Sequence, residues 1–224
     1  MKPRFRGVGW TVIIPVKPTA LGKSRLGPDA AGRHGLAAAV ALDTVHAAYA
    51  ARNVREVIVV TDDPHLSEEL GGISGISVLR EDGPRGVDGA IAYGARTLDR
   101  AVARAALLGD LPALRPQDLD RALTLAEAHD RAVVPDAEGT GSTLVTARGG
   151  IDLVTSFGVG SLDRHAAAGC RVLNVARGST LRRDVDTAAH LETARTLGLG
   201  ERTAALLPQS PETSVASASA SAAS

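Results

Sequence analysis

The chain has 224 residues, 44% of them apolar, and its 25 basic residues are balanced by 25 acidic ones. Zero net charge excludes a general binder of nucleic acid or of anionic membranes, since both draw their affinity from a basic excess; any bound anion must be met by a local cluster. The lone Cys170 excludes an intrachain disulfide, and no signal segment or long apolar span is present, so a cytoplasmic setting is expected.

The length and apolar share fit one globular domain, expected over residues 1–204. A Ser/Ala-rich tail, 205–224, should follow as a disordered segment because it has too little apolar surface to offset ordering entropy. In chain order, residues 10–16 read as a strand, 33–51 as a long helix, 57–61 as a strand, 64–70 as a short helix and 76–79 as a strand. Residues 88–104 read as a helix, followed by the apolar strand that runs into Gly109-Asp110-Leu111-Pro112. Strand-like runs at 131–134 and 143–147 are too close for a helical crossover and predict antiparallel pairing at one sheet edge. Residues 187–197 close the domain as a helix capped by Thr187. The alternation of strand and helix predicts an α/β fold with a mostly parallel sheet.

Asp110 stands at the carboxyl end of a buried strand, where open α/β sheets bind their ligands. A second carboxylate pair, Asp184 and Asp186, lies far along the chain. Mg²⁺ takes hard oxygen ligands, commonly one or two carboxylates plus substrate phosphates, so three aspartates on two loops point to a Mg²⁺ site and nucleotide chemistry. Asp184 and Asp186 share one metal only if their segment is irregular, because alternate residues of an extended segment face opposite ways.

Only three basic residues are lysines, and two of them, Lys17 and Lys23, share with Arg25 the connection after the first strand. A solvated basic loop is the commoner origin of such a cluster, but its place at a strand's carboxyl end favours a polyphosphate wrap. The P-loop spacing is missing. The glycines of Gly83-Pro84-Arg85-Gly86-Val87-Asp88-Gly89 imitate a dinucleotide fingerprint only loosely. Asp88 reads either as a helix cap or as a carboxylate accepting hydrogen bonds from the N1 and N2 donors of guanine.

Gly139-Thr140-Gly141-Ser142 reads as a tight turn or as a nest of exposed backbone N–H groups for an anion. In Phe157-Gly158-Val159-Gly160-Ser161, Ser161 is expected to cap a helix whose N-terminus favours a carboxylate or phosphate. Gly-Val-Gly-Ser is not the Gly-x-Ser-x-Gly of a hydrolase nucleophile, the six histidines lack zinc spacing, and Cys170 reads as a buried apolar residue. His165 reads as a packed helix residue, and neither it nor Arg164 receives a chemical role.

Taken in order, Lys17 with Lys23-Ser24-Arg25-Leu26, Gly109-Asp110-Leu111-Pro112-Ala113-Leu114, Gly139-Thr140-Gly141-Ser142, Phe157-Gly158 with Ser161 and His165, and Asp184-Val185-Asp186-Thr187 form five blocks in register. Over residues 12–197 the chain resembles the 2-phospho-L-lactate or phosphoenolpyruvate guanylyltransferases of deazaflavin coenzyme F-420 biosynthesis. The resemblance implies a GT-A-like nucleotidyltransferase fold, with a twisted, mostly parallel sheet, and a requirement for GTP and Mg²⁺. It implies that Asp110, Asp184 and Asp186 are metal ligands, and that Ser142, Gly158 and Ser161 fall where the family binds phosphoenolpyruvate. Lys17, Lys23 and Arg25 would serve the nucleotide phosphates and, with Asp110, catalysis. The family reads Gly-Leu-Asn near the purine where this chain has Gly86-Val87-Asp88, and Ser142 stands where some relatives have Thr.

The expected acceptor is a phosphorylated three-carbon acid: phosphoenolpyruvate, 2-phospholactate or 3-phosphoglycerate. Phosphoenolpyruvate is favoured because the Arg- and Ala-rich composition suits the GC-rich bacteria whose relatives prefer it. A homodimer is the commonest oligomer to expect. Two other readings stay open: a nucleotidyltransferase of the same fold acting on a sugar phosphate or a molybdopterin, and a non-catalytic nucleotide-binding regulator.

Overall fold

The computed structural model describes residues 9–17, 30–80 and 86–208, with the side chains of 30–34 left aside. Lys23, Arg25 and residues 81–85 and 209–224 lie outside the described residues.

Seven strands form one sheet in the order β3-β2-β1-β4-β6-β5-β7. The strands are β1 (Trp10–Pro15), β2 (Val54–Thr61), β3 (Ile76–Arg80), β4 (Ala103–Leu107), β5 (Arg131–Pro135), β6 (Ser142–Ala147) and β7 (Arg171–Val172). Every neighbouring pair is parallel except those that β6 makes with β4 and β5. The antiparallel strand is therefore third from the rim rather than at the edge where the sequence placed it. The short β5 to β6 hairpin fills the place beside β4 and leaves β7 to form the rim.

Among the described residues seven α-helices flank the sheet: α1 (Ala30–Ala50), α2 (Pro64–Leu70), α3 (Gly86–Ala95), α4 (Pro116–Ala126), α5 (Ser161–Ala167), α6 (Ala188–Leu197) and α7 (Glu201–Ala205). Alternation along β1 sorts the two faces. Val12 and Ile14 pack with Ala41, Val45 and Leu119 in the main core, whereas Ile13 packs with Ile58, Val60 and Ala90 on the α3 side. A smaller cluster of Val133, Val145 and Cys170, with Leu162 packed against it, seats α5. No helix among the described residues is long and apolar enough to cross a membrane.

Two helical expectations change. The helix expected over 88–104 stops at Ala95, and Asp99 then accepts the Ala101 N–H at 2.8 Å in a turn that leads into β4. Helix α4, which the sequence reading left unassigned, starts with Pro116 in its first turn and buries Leu119, Ala122, Leu123 and Ala126 on one face. The Thr187 cap is present: its side chain accepts the His190 N–H at 3.2 Å. Helix α7 ends at Ala205, where the tail was expected to begin, and Leu207 still packs against the cluster of Leu36, Val40 and Leu191.

Candidate active site

The parallel strands β1 and β4 end side by side, and the chain leaves them at Lys17 and Asp110. Gly109 lets the turn press close to the end of β1: a Cβ at that position would lie 3.1 Å from Val16 Cγ2 and 3.2 Å from the Pro15 carbonyl, so a side chain would have to push these neighbours back by a few tenths of an ångström. Asp110 in turn fixes the distant carboxylate segment, because its carbonyl accepts the Val185 N–H at 3.0 Å. Val185 is fully buried, and the flanking Asp184 and Asp186 are carried on irregular backbone that bends at 186 and 187. That irregularity is the condition the sequence set for both to serve one site.

A cleft of about 200 Å³ opens over these strand ends, lined by Pro15, Val16, Lys17, Ala37, Val40, Ala41, Val87, Leu108, Gly109, Asp110 and Asp186. One wall is apolar and comes from α1 and Val87; the other carries Lys17 and the two carboxylates. Burial, and then the neighbouring Asp110 and Asp186 carboxylates, push the Asp184 carboxyl up to about 7 from an ordinary 3.8. Its Oδ1 is buried and has no hydrogen-bond partner among the described residues. Among those residues no three acidic, histidine or cysteine side chains converge tightly enough to ligate one ion by themselves. A cation here would take one or two of these carboxylates and complete its shell with phosphate and water oxygens, as Mg²⁺ commonly does.

Because β6 runs against its neighbours, its first residue, not its last, faces the same edge. The Leu108 N–H donates to the Thr143 carbonyl at 3.0 Å, which sets Ser142 beside the end of β4. Ser142 Oγ lies 2.8 Å from Ser161 Oγ and 2.9 Å from His165 Nδ1, and all three residues are buried. His165 Nε2 accepts the Ser156 N–H at 2.8 Å. A backbone amide can only donate, so Nδ1 carries the ring proton and donates it to Ser142. Burial, which outweighs the charge of Asp88, holds the imidazole below its ordinary value and keeps it neutral.

The loop 156–160 is tied from several directions. Arg164 donates to Ser156 Oγ (2.8 Å) and to the carbonyls of Ser156 (2.9 Å), Phe157 (3.3 Å) and Val159 (2.6 Å). The Phe157 ring meets His165 edge-on with centroids 5.1 Å apart, and its N–H donates to Asp88 Oδ1 at 3.0 Å. Gly158 at φ 110° and Gly160 at φ 69° supply the left-handed backbone that this turn needs.

Two expectations about this half of the site are corrected. Gly160, not Ser161, occupies the cap position of α5, and Ser161 is the first helical residue with its hydroxyl turned to Ser142. The anion nest at 139–141 is already filled: Asp136 Oδ1 accepts the Gly139 (2.6 Å) and Thr140 (3.0 Å) N–H groups and Oδ2 accepts that of Gly141 (2.7 Å). Asp136 was missed in the sequence, although an Asp three to five residues ahead of a Gly-x-Gly turn is a known local acceptor. The hairpin is also clasped to the carboxylate segment, through Arg183 on Glu138 (2.6 Å) and Arg182 on the Asp136 carbonyl (2.6 and 3.0 Å).

The structure thus brings Lys17, Asp110 and Asp186 to one cleft with Asp184 beside them, and Ser142, Ser161 and Gly158 to an adjacent seat. It also gives His165 and Arg164 the roles that the sequence withheld. Open α/β sheets bind their ligands outside the carboxyl ends of the strands, and the carboxylate cleft stands there. A nucleotidyl transferase from Methanothermobacter thermautotroptrophicus superposes with a TM-score of 0.58 at 20% identity, covering 85% of this chain and 98% of that one. A CMP:2-keto-3-deoxy-manno-octonic acid synthetase complexed with CTP gives 0.55 at 20% identity, covering 84% and 97%.

Residues 10–200 match the guanylyl transferase CofC-like family, and the chain belongs to it. A phosphoenolpyruvate guanylyltransferase from Thermomonospora curvata is 46% identical over 207 residues, 90% of each chain. Another from Geodermatophilus obscurus is 48% identical over 206 residues, covering 88% of this chain and 94% of the relative.

Proposed function

We propose that this chain transfers GMP from GTP to the phosphate of phosphoenolpyruvate, or of 2-phospho-L-lactate, in coenzyme F-420 biosynthesis. The observation that carries the reading is the hydrogen bond from Val185 N–H to the Asp110 carbonyl, which joins two carboxylate segments distant in sequence beside the Ser142 seat. In the reaction an acceptor phosphate oxygen attacks the α-phosphorus of GTP, the bond from that phosphorus to the bridging oxygen breaks, and pyrophosphate leaves with the electron pair. A phosphate monoester, with a second pKa of about 6, is already largely dianionic at neutral pH, so no general base is needed. Catalysis then rests on positioning and electrostatics.

Lys17, with Lys23 and Arg25, would hold the triphosphate. One or two of Asp110, Asp184 and Asp186 would hold a divalent cation, with phosphate and water oxygens completing its shell, and the buried Asp184 Oδ1, without a partner among the described residues, is the feature that fits one. When bound, Mg²⁺ would neutralise the phosphates of donor and acceptor. The Ser142 and Ser161 pair would meet the acceptor through the one hydroxyl proton that their mutual hydrogen bond leaves free, on the base that His165 provides, with Gly158 beside its anionic end. GTP, a phosphorylated acid and Mg²⁺ are therefore the partners proposed, with a homodimer as the assembly.

The test is pyrophosphate release with GTP and Mg²⁺ on parallel addition of phosphoenolpyruvate, 2-phospho-L-lactate and 3-phosphoglycerate. Release with phosphoenolpyruvate and not with a sugar 1-phosphate is the expected result. Release only with a sugar phosphate would move the chain to another nucleotidyltransferase activity, and no release with any acceptor would leave a nucleotide-binding regulator.

A further inference from the structure

The Asp88 side chain links the nucleotide cleft to the 156–160 loop. Val87, its neighbour on the first turn of α3, lines the cleft together with Lys17 and Asp110. Asp88 Oδ1 accepts the Phe157 N–H at 3.0 Å, across 69 residues of chain. From Phe157 the contacts continue through its edge-on ring to His165, and from His165 Nδ1 to Ser142 and Ser161. The adjacent amide, Ser156 N–H, is held by the other nitrogen of the same imidazole. Two successive N–H groups of the loop are thus taken by two side chains, one from the wall of the cleft and one from the seat.

We propose that Asp88 is a positioning residue for the acceptor: it couples the α3 wall of the nucleotide cleft to the 156–160 loop and so to the Ser142 and Ser161 hydroxyls. This rests on the guanylyltransferase reading above. It gives Asp88 a task distinct from reading guanine, since its Oδ1 is turned to the loop backbone. A nucleotide packed against Val87 restrains the first turn of α3, and the Asp88 bond passes that restraint to the acceptor loop. Coupling of this kind is reciprocal, so each ligand should tighten the other by the same factor.

The experiment compares Asp88→Ala and Asp88→Asn with wild type in steady-state kinetics, with GTP and with ATP as donors, after thermal melts have shown that each variant is folded. Pyrophosphate release by the wild type comes first, and its absence would count against the function rather than against the coupling. Asp88→Ala should raise the acceptor KM by about tenfold or more, the usual scale for losing a hydrogen bond to a charged group, and the GTP KM by less. Asp88→Asn keeps an amide oxygen that accepts the Phe157 N–H, and should recover most of the acceptor affinity. The preference for GTP over ATP should survive in both. A lost GTP preference, or a larger rise in the GTP KM than in the acceptor KM, would overturn the proposal in favour of base recognition. An acceptor KM unmoved in Asp88→Ala would overturn it outright.

Discussion

The two halves of the candidate site are built in opposite ways. Around Asp184 the protein gathers carboxylates: burial and the neighbouring Asp110 and Asp186 lift its carboxyl to about 7, and its Oδ1 has no partner among the described residues. Around Ser142 it gathers neutral donors and satisfies them, with His165 bonded at both nitrogens and Arg164 donating to four oxygens. On the proposed reading the first half would be completed by a cation and the phosphates it carries. The second is built before any ligand arrives, so it should tolerate little change in shape and need little change in charge.

The largest effect is expected from breaking the charged half. Asp110→Asn keeps the shape and removes a carboxylate charge, so turnover should fall by at least about a hundredfold at saturating Mg²⁺ while the melting temperature holds. Turnover near that of the wild type would remove Asp110 from the metal site. In the neutral half, Ser161→Ala should cost the acceptor about tenfold to a hundredfold in KM and leave the GTP KM nearly unchanged. A heavier cost on GTP would mean that donor and acceptor seats have been exchanged.

Melting temperatures sharpen the contrast further. The Asp184 carboxyl is raised from 3.8 to about 7, so the folded chain holds its proton more tightly than the unfolded one. The stability this contributes is fully present below pH 3.8 and is lost as pH rises through 7. Without a divalent cation, wild type should lose melting temperature across that window, and Asp184→Asn should lose less; added Mg²⁺ should raise the wild-type value more at pH 8 than at pH 5. Equal Mg²⁺ effects at both pH values would contradict this.

His165 has the opposite sign and the smallest expected effect. Its value is lowered, so its contribution is present above 6.5 and lost as pH falls through the folded value. Protonation would also place a hydrogen on Nε2 facing the Ser156 N–H. The loss of melting temperature below pH 6.5 should therefore shrink in His165→Asn, and an unchanged profile would show that the ring titrates without consequence.

The charged half was legible in the sequence, and the neutral half was only partly so. Asp110 announces itself by following an apolar strand into a Pro turn, and Asp184 and Asp186 by their spacing, because those signals are local. Ser142 and Ser161 were named through family resemblance; the reversal of β6 is legible in its short link to β5, but its place beside β4 and the packing of α5 that unites the two serines through His165 are tertiary features that local pattern does not encode. Helix α3 was drawn too long because Arg96 and Thr97 do not break a helix by composition, and the turn at Asp99 was overlooked. Helix α4 carried a clear signal in the spacing of Leu119, Ala122, Leu123 and Ala126. The anion nest failed for a different reason: the geometry was right, and Asp136 had already claimed it.

The reversed β6 has a consequence for how selectivity can diverge. Ser142 is delivered by a short hairpin between β5 and β6, whereas Lys17 and Asp110 are delivered by parallel strands whose positions the whole sheet determines. Insertions or deletions at 136–141 would shift Ser142 against Ser161 and His165 while the order of the strands stays, and the clasp from Arg182 and Arg183 would carry the change to the carboxylate segment. On the proposed reading, editing that one turn would retune the acceptor seat without redrawing the sheet.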